Sequence, residues 1–126
     1  MRKLERLPDA ELEVMQALWQ LEPYPVTSAQ LMEKLSGRHW RLPTLLKLLS
    51  RLEERGFVAN EKEGRNNRYR PLVDEREYLA AESGRFFQKL HGGSLPSLVA
   101  ALMESRAITS DDVAELEAIL KGGKRP

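Results

Sequence analysis

Three features of the 126 residues predict a mainly α-helical chain interrupted by one small β-hairpin. Apolar residues recur at three- and four-residue spacing in three N-terminal stretches, the period of an amphipathic helix. Between Phe57 and Val73 that period gives way to rough alternation around Gly64-Arg65-Asn66-Asn67, a turn-forming run. Helical spacing then resumes at Asp74 and continues to Leu120.

Asp9, after Leu7-Pro8, has the chemistry of an N-cap for a first helix that carries Leu12, Met15, Leu18 and Trp19 and runs to Glu22. Pro23 and Pro25 end it. A second helix opens at Thr27, where T-S-A-Q places Gln30 to complete a capping box. Leu31, Met32 and Leu35 turn inward, and Ser36-Gly37 closes the element. The basic turn Arg38-His39-Trp40-Arg41 leads into a third helix. Pro43 suits the first helical position, the run continues to Arg55, and Gly56 stops it. Leu45, Leu48, Leu49 and Leu52 share its inner face. Thr44, Lys47, Ser50 and Arg51 lie opposite, with Leu46 among them. The stretches 57–63 and 68–73 then form a hairpin with a basic, Asn-rich tip. Three helices followed by a hairpin is the order of a winged helix-turn-helix domain, assigned to residues 7–73.

From Asp74, D-E-R-E resembles a capping box with Asp as the cap, and Tyr78 and Leu79 follow on the same helix before Gly92-Gly93 ends it. Two shorter helices are expected at Leu95–Glu104 and Ser110–Leu120, the second capped by Thr109 or Ser110. Residues 74–121 thus form a helical arm. Its apolar set is Phe86, Phe87, Leu90, Leu95, Leu98, Val99, Leu102, Met103, Ile108, Val113, Leu116, Ile119 and Leu120. That is too many for thin helices standing alone, so the stripe must be covered. A second copy of the arm is the favoured cover, making a homodimer; folding back on the first domain is the other. Residues 1–6 and 122–126 are expected to be flexible tails. The sequence carries no internal repeat and no low-complexity segment.

Composition narrows the function classes. With 41% apolar and 31% charged residues, the chain can form a globular core without staples. It has no cysteine, which removes disulfides, thiolate metal sites and thiol nucleophiles. His39 and His91 are too few for the commoner histidine-rich metal sites. Glu53/Glu54 and Asp111/Asp112 are adjacent carboxylates with no partner set, and read as solvated helix faces. No Ser-His-Asp set and no phosphate loop stands out, so an enzyme, a metal and a cofactor are all unexpected. The longest apolar run, Leu98 to Met103, is too short to span a bilayer, and MRKLERLPDAE lacks a signal peptide's apolar stretch. The expectation is a cytoplasmic protein with no membrane insertion.

Charge is informative once divided. The whole chain has 20 basic and 19 acidic residues, but residues 1–73 hold 13 against 10 and residues 74–126 hold 7 against 9. Within 38–70 the excess is sharper: Arg38, Arg41, Lys47, Arg51, Arg55, Lys62, Arg65, Arg68 and Arg70 face only four glutamates. A basic middle joined to an acidic C-terminal part fits a nucleic-acid reader with a partner-binding segment, although solvated basic patches occur on many neutral proteins.

A helix fits the B-DNA major groove, where exposed side chains reach base edges. Thr44 is placed to bond a phosphate at the helix start, or simply to cap the helix. Lys47 reads guanine or pairs a phosphate, Arg51 touches backbone or pairs with Glu54, and Arg41 stands at the helix entry. The hairpin tip, Arg65, Asn66, Asn67 and Arg68, reaches a flanking phosphate or the minor groove. Trp19 and Trp40 are read as core, and both histidines as surface. The competing reading is a winged helix turned protein-interaction module, because Leu42, Pro43 and Leu46 form an apolar patch where a reader is usually polar.

LPDAELEVMQALW, the stretch from Trp40 through TLLKLLSRLEERGFV, the basic hairpin and FFQKLHGGSLPSLVAALME together resemble the penicillinase repressor family of the BlaI/MecI/CopY type. The likeness runs over roughly residues 7–120 in order. It implies a winged helix reading a pseudo-palindromic double-stranded operator, a dimerising helical arm and repression of a resistance or homeostasis operon. It further implies an upstream membrane sensor–protease pathway that triggers cleavage in the arm. Three departures stand out. Where the family has Pro-Lys-Thr-Ile and a polar residue, this chain reads Leu42-Pro43-Thr44-Leu45-Leu46, so the Lys becomes Pro43 and the polar residue becomes Leu46. A leucine there suits a thymine methyl and predicts an altered operator. The family's Asn-Phe cleavage bond aligns with Ala101-Leu102, which argues against proteolytic induction. The copper-responsive relatives use C-terminal cysteines, and this chain has none.

Overall fold

The computed structural model describes residues 4–122. Its elements run in the order α1 (Asp9–Trp19), β1 (Val26–Thr27), α2 (Ser28–Lys34), a single 3-10 turn (Ser36–Arg38), α3 (Leu42–Glu54), β2 (Val58–Glu63), β3 (Asn66–Pro71), α4 (Glu75–His91), α5 (Leu95–Glu104) and α6 (Ser110–Gly122). The chain divides into two compact units, one ending at Glu82 and one beginning at Ser83.

The first unit is a winged helix. Val14, Met15 and Leu18 of α1, Leu31 of α2, and Leu45, Leu49 and Leu52 of α3 are fully buried together. Each such side chain contributes about 1.5–3 kcal/mol by leaving water. The sheet closes the other side with Val26, Val58 and Tyr69, and Phe57 and Val73 seal its ends. The strand order is β1-β3-β2, all antiparallel. Strand β1 is a two-residue element that periodicity does not detect. It pairs Val26 with Tyr69 and Thr27 with Arg68, which ties the start of α2 to the wing.

Several helix ends differ from the sequence expectation. The N-cap of α1 is Pro8, with no side-chain cap, so Asp9 is the first helical residue and its charge faces the positive helix end. The same helix stops at Trp19, because Gln20 and Leu21 fold back to the carbonyls of Ala17 and Leu18. Helix α2 has the expected capping box, with Thr27 Oγ1 accepting the Gln30 N–H and Gln30 Oε1 accepting the Thr27 N–H. In α3, Leu42 takes the first position and Pro43 the second, and Arg41 is the N-cap. Its C-terminus is closed by Gly56 at φ +81, where the Gly56 and Phe57 N–H groups reach the carbonyls of Glu53 and Leu52. This is the reciprocal pattern that a left-handed residue permits.

The hairpin turn is tighter than expected. Glu63 pairs with Asn66 and Lys62 with Asn67, leaving only Gly64 and Arg65 in the turn. Asn66, Asn67 and Arg68 are therefore strand residues. Two-residue hairpin loops need positive φ, and Gly64 supplies it at +66.

The boundary between the units falls inside α4. Tyr78 is buried in the first core, packs edge-on to Phe57, and its hydroxyl accepts the Leu7 N–H at 2.9 Å. The division after Glu82 thus lies beyond the Val73 boundary read from the sequence. Nor are the described residues of the N-terminal segment a loose tail. Leu4 is buried, Glu5 is ion-paired with Arg55, and Arg6 with Glu82.

The second unit comprises the end of α4 with α5 and α6. Ser94 caps α5 by accepting the Ser97 N–H, and Thr109 caps α6 in a reciprocal pair with Asp112. Helix α6 continues past Leu120 to Gly122, which places Gly122 in the helix; the remainder of the expected tail, 123–126, lies outside the described residues. No described residue from 83 onward is fully buried. Among the described residues, no helix is long and apolar enough to cross a membrane.

Candidate nucleic-acid interface

Helix α3 separates its faces sharply. Leu45, Leu49 and Leu52 are inside, while Thr44, Lys47, Ser50 and Arg51 are exposed on the other side. Arg41 is exposed at the helix entry. The Thr44 N–H bonds the Arg41 carbonyl at 3.0 Å, and no side chain caps this helix, so the Thr44 hydroxyl remains available. Among the described residues Arg51 makes no ion pair with Glu54.

The basic excess of residues 38–70 resolves into two groups. Arg38 pairs with Glu13 at 3.2 Å and lies over the Trp40 ring. Arg55 donates from Nε to the fully buried Glu11 carboxylate at 2.7 Å, and also meets Glu5. The Glu11 hydrogen bond raises the Arg55 pKa above its usual value. Arg68 lies 2.9 Å from Glu63, and Arg70 bonds Glu61. These four guanidinium groups are neutralised inside the unit. Arg41, Lys47, Arg51, Lys62 and Arg65 have no ion-pair partner among the described residues. The uncommitted positive charge of residues 38–70 thus lies at the entry of α3, on its outer face and on the wing.

The wing and α3 meet in a shallow cleft of about 430 Å³. Thr27, Ser28 and Ala29 form one wall, Leu42 and Leu46 a second, and Arg65, Asn66 and Asn67 the third. Leu46 is only half-buried and packs on the edge of the core, so it lies beside the strip of Thr44, Lys47 and Arg51 and not within it. Asn67 accepts a hydrogen bond from Asn60 Nδ2 at 3.3 Å, so it is partly committed to the sheet. Arg68 is half-buried opposite Thr27, away from the tip. The candidate set therefore splits: Arg41, Thr44, Lys47, Arg51 and Arg65 are exposed and uncommitted, whereas Arg68 is committed within the sheet.

Sequence reasoning missed two contributors. The start of α2 forms a wall of the cleft, whereas its capping box signals in the sequence only the beginning of a helix. Lys62, exposed on β2 across from Asn67, adds a free cation next to the tip.

The family model for the penicillinase repressor matches residues 7–122, across both units. The chain belongs to the penicillinase repressor family. It is similar to the penicillinase repressor of Bacillus licheniformis, 31% identical over 125 residues that cover 98% of this chain and 96% of that one. The methicillin resistance regulatory protein MecI of Mammaliicoccus sciuri is 30% identical over 118 residues, 94% of this chain and 95% of its own. Two solution structures share the fold. One is the Bacillus licheniformis BlaI monomeric form in complex with the blaP half-operator, at TM-score 0.50 and 34% identity. The other is the DNA-binding domain of the repressor BlaI, at TM-score 0.51 and 34% identity. Each covers 62% of this chain and 94% of the solved one. The Ala101-Leu102 peptide bond lies in the body of α5, with Ala101 exposed and Leu102 half-buried.

Proposed function

We propose that this chain is a homodimeric transcriptional repressor that binds a pseudo-palindromic DNA operator, with α3 in the major groove and the wing on flanking phosphate or the minor groove. The supporting observation is the cluster of uncommitted cations, Arg41, Lys47, Arg51, Lys62 and Arg65, at α3 and the wing of a winged helix whose family is that of the penicillinase repressor. Arg41 and Thr44 hold a phosphate at the N-terminal end of α3, where unsatisfied N–H groups and the helix dipole favour an anion. Lys47 reads a guanine edge, and Arg51, farther along, holds the backbone. Arg65, Asn66 and Lys62 meet the flanking sugar–phosphate chain.

Dimerisation follows from the arm. Phe86, Leu90, Leu95, Met103, Ile119 and Leu120 are all exposed beyond a third of their surface, and a second copy is the cover that also matches operator symmetry. Ala101-Leu102 lacks the side chains of the Asn-Phe bond, so release from the operator by cleavage there is not part of this reading. The test is Lys47→Ala, compared on a selected operator duplex and on an unrelated duplex at one salt concentration. A base reader predicts a loss of about 1–3 kcal/mol on the operator and little on the unrelated duplex. Affinity that is flat across sequences for the wild-type chain, with a tight protein partner at Leu42 and Leu46, would instead identify a protein-interaction module.

A further inference from the structure

Leu42 and Leu46 are left unexplained by the polar contacts assigned above. Leu42 is 44% exposed at the first position of α3, the end of a recognition helix that enters a groove most deeply. Leu46 is one turn further on, half-buried on the same wall of the cleft. Leu42 takes no part in the core and Leu46 touches only its edge, the fully buried α3 residues being Leu45, Leu49 and Leu52. Both are walled by polar groups: Thr27 and Ser28 on one side, Arg65 and Asn66 on the other. Free cations flank the patch, at Arg41, Lys47 and Arg65. A protein partner with an apolar anchor gains nothing from that cationic surround, whereas a DNA backbone does.

The one apolar group that B-DNA presents in its major groove is the thymine C5-methyl. We infer that Leu42 and Leu46 form a methyl-reading strip that selects thymines in each half-site, in place of the hydrogen-bonding readers usual at such positions. The inference rests on the operator-binding reading above and adds to it the chemical group being recognised. Geometry sets the register. Four residues of α-helix advance about 6 Å along the axis, which is roughly two base-pair steps of about 3.4 Å. The two methyls thus belong to thymines within about two steps of each other, on the side of the half-site nearest the wing.

The experiment uses the full chain and the best duplex it selects from random-sequence DNA, synthesised once with thymine and once with uracil at the half-site positions. Uracil pairs as thymine does and lacks only the methyl. Removing one buried methyl is expected to weaken binding about three- to four-fold, and two methyls per half-site correspondingly more. Leu42→Ala and Leu46→Ala chains are expected to bind the two duplexes more nearly alike, each losing its share of the preference. Leu42→Ala keeps the test independent of folding, because that side chain is exposed. Equal wild-type affinity for the thymine and uracil duplexes overturns the inference while leaving the repressor reading intact. Selection that enriches no sequence overturns both.

Discussion

At the scale of single residues, the charge of the first unit is governed by which arginines are already satisfied. Glu11 sits in the apolar stripe of α1, one turn after Leu7 and one turn before Met15, and is 1% exposed. A carboxylate in such a place requires a cation, and Arg55 at the end of α3 provides it at 2.7 Å. Arg55→Ala leaves the Glu11 charge buried without compensation and is expected to cost about 3 kcal/mol. Glu11→Gln should cost less, since the Arg55 side chain is 28% exposed and can turn to water. Urea denaturation of the two variants checks the ordering. This clamp was only half legible in the sequence. Arg55 counts there as one of nine basic residues of a DNA-facing surface, and the clue to its real role lies 44 residues away, as a charged residue at helical spacing among leucines. Arg106 offers a second test. It holds φ +62 at the end of α5, with its N–H on the Met103 carbonyl and the next N–H on that of Leu102. Left-handed backbone costs an L-residue about 1 kcal/mol, so Arg106→Gly is expected to raise the stability of the arm by up to roughly that amount, read as a higher midpoint in thermal unfolding.

At the scale of elements, α3 was the most legible and the wing the least. The apolar positions of α3 repeat at helical spacing and its stop is a glycine, so its inner and outer faces follow from the sequence. The one surprise is Leu46, displaced toward the wing because the start of α2 and strand β3 leave a cleft there. The hairpin misleads because Asn66-Asn67 carries strong turn chemistry. Gly64 nevertheless closes the turn first, and the asparagines become strand residues with Asn67 bonded to Asn60. Strand β1 is invisible for a different reason: two residues give no period, and its pairing with Tyr69 and Arg68 is a long-range event. The free cation of the tip, Arg65, is predicted to act on phosphate alone. Arg65→Ala should weaken binding to every duplex by a similar factor and reduce the slope of log affinity against log salt by about 1. An effect limited to one sequence would assign it to base reading instead.

At the scale of the whole molecule, the two units carry different kinds of surface. The first has a fully buried apolar core of its own; the second, among its described residues, buries none completely and leaves Leu90 65% and Leu120 62% exposed. Exposure of large aliphatics on this scale is the mark of an interface. Sedimentation equilibrium of the full chain is expected to give twice its 14.4 kDa mass. The double variant Leu90→Glu/Leu120→Glu should shift it to the monomer while leaving the urea midpoint of the first unit unchanged. The family likeness and the apolar arm were both evident in the sequence. The point where the first unit ends was not, because Tyr78 looks like any other member of the arm's apolar stripe until its hydroxyl is seen on the Leu7 N–H and its ring against Phe57.

Selection of binding sites from genomic DNA with the purified full chain shows whether the protein reads sequence with two-fold symmetry. A dimeric repressor is expected to enrich a pseudo-palindrome with half-sites about one helical turn, or a multiple of it, apart. Uniform, salt-sensitive binding with no enriched or symmetric site would contradict it.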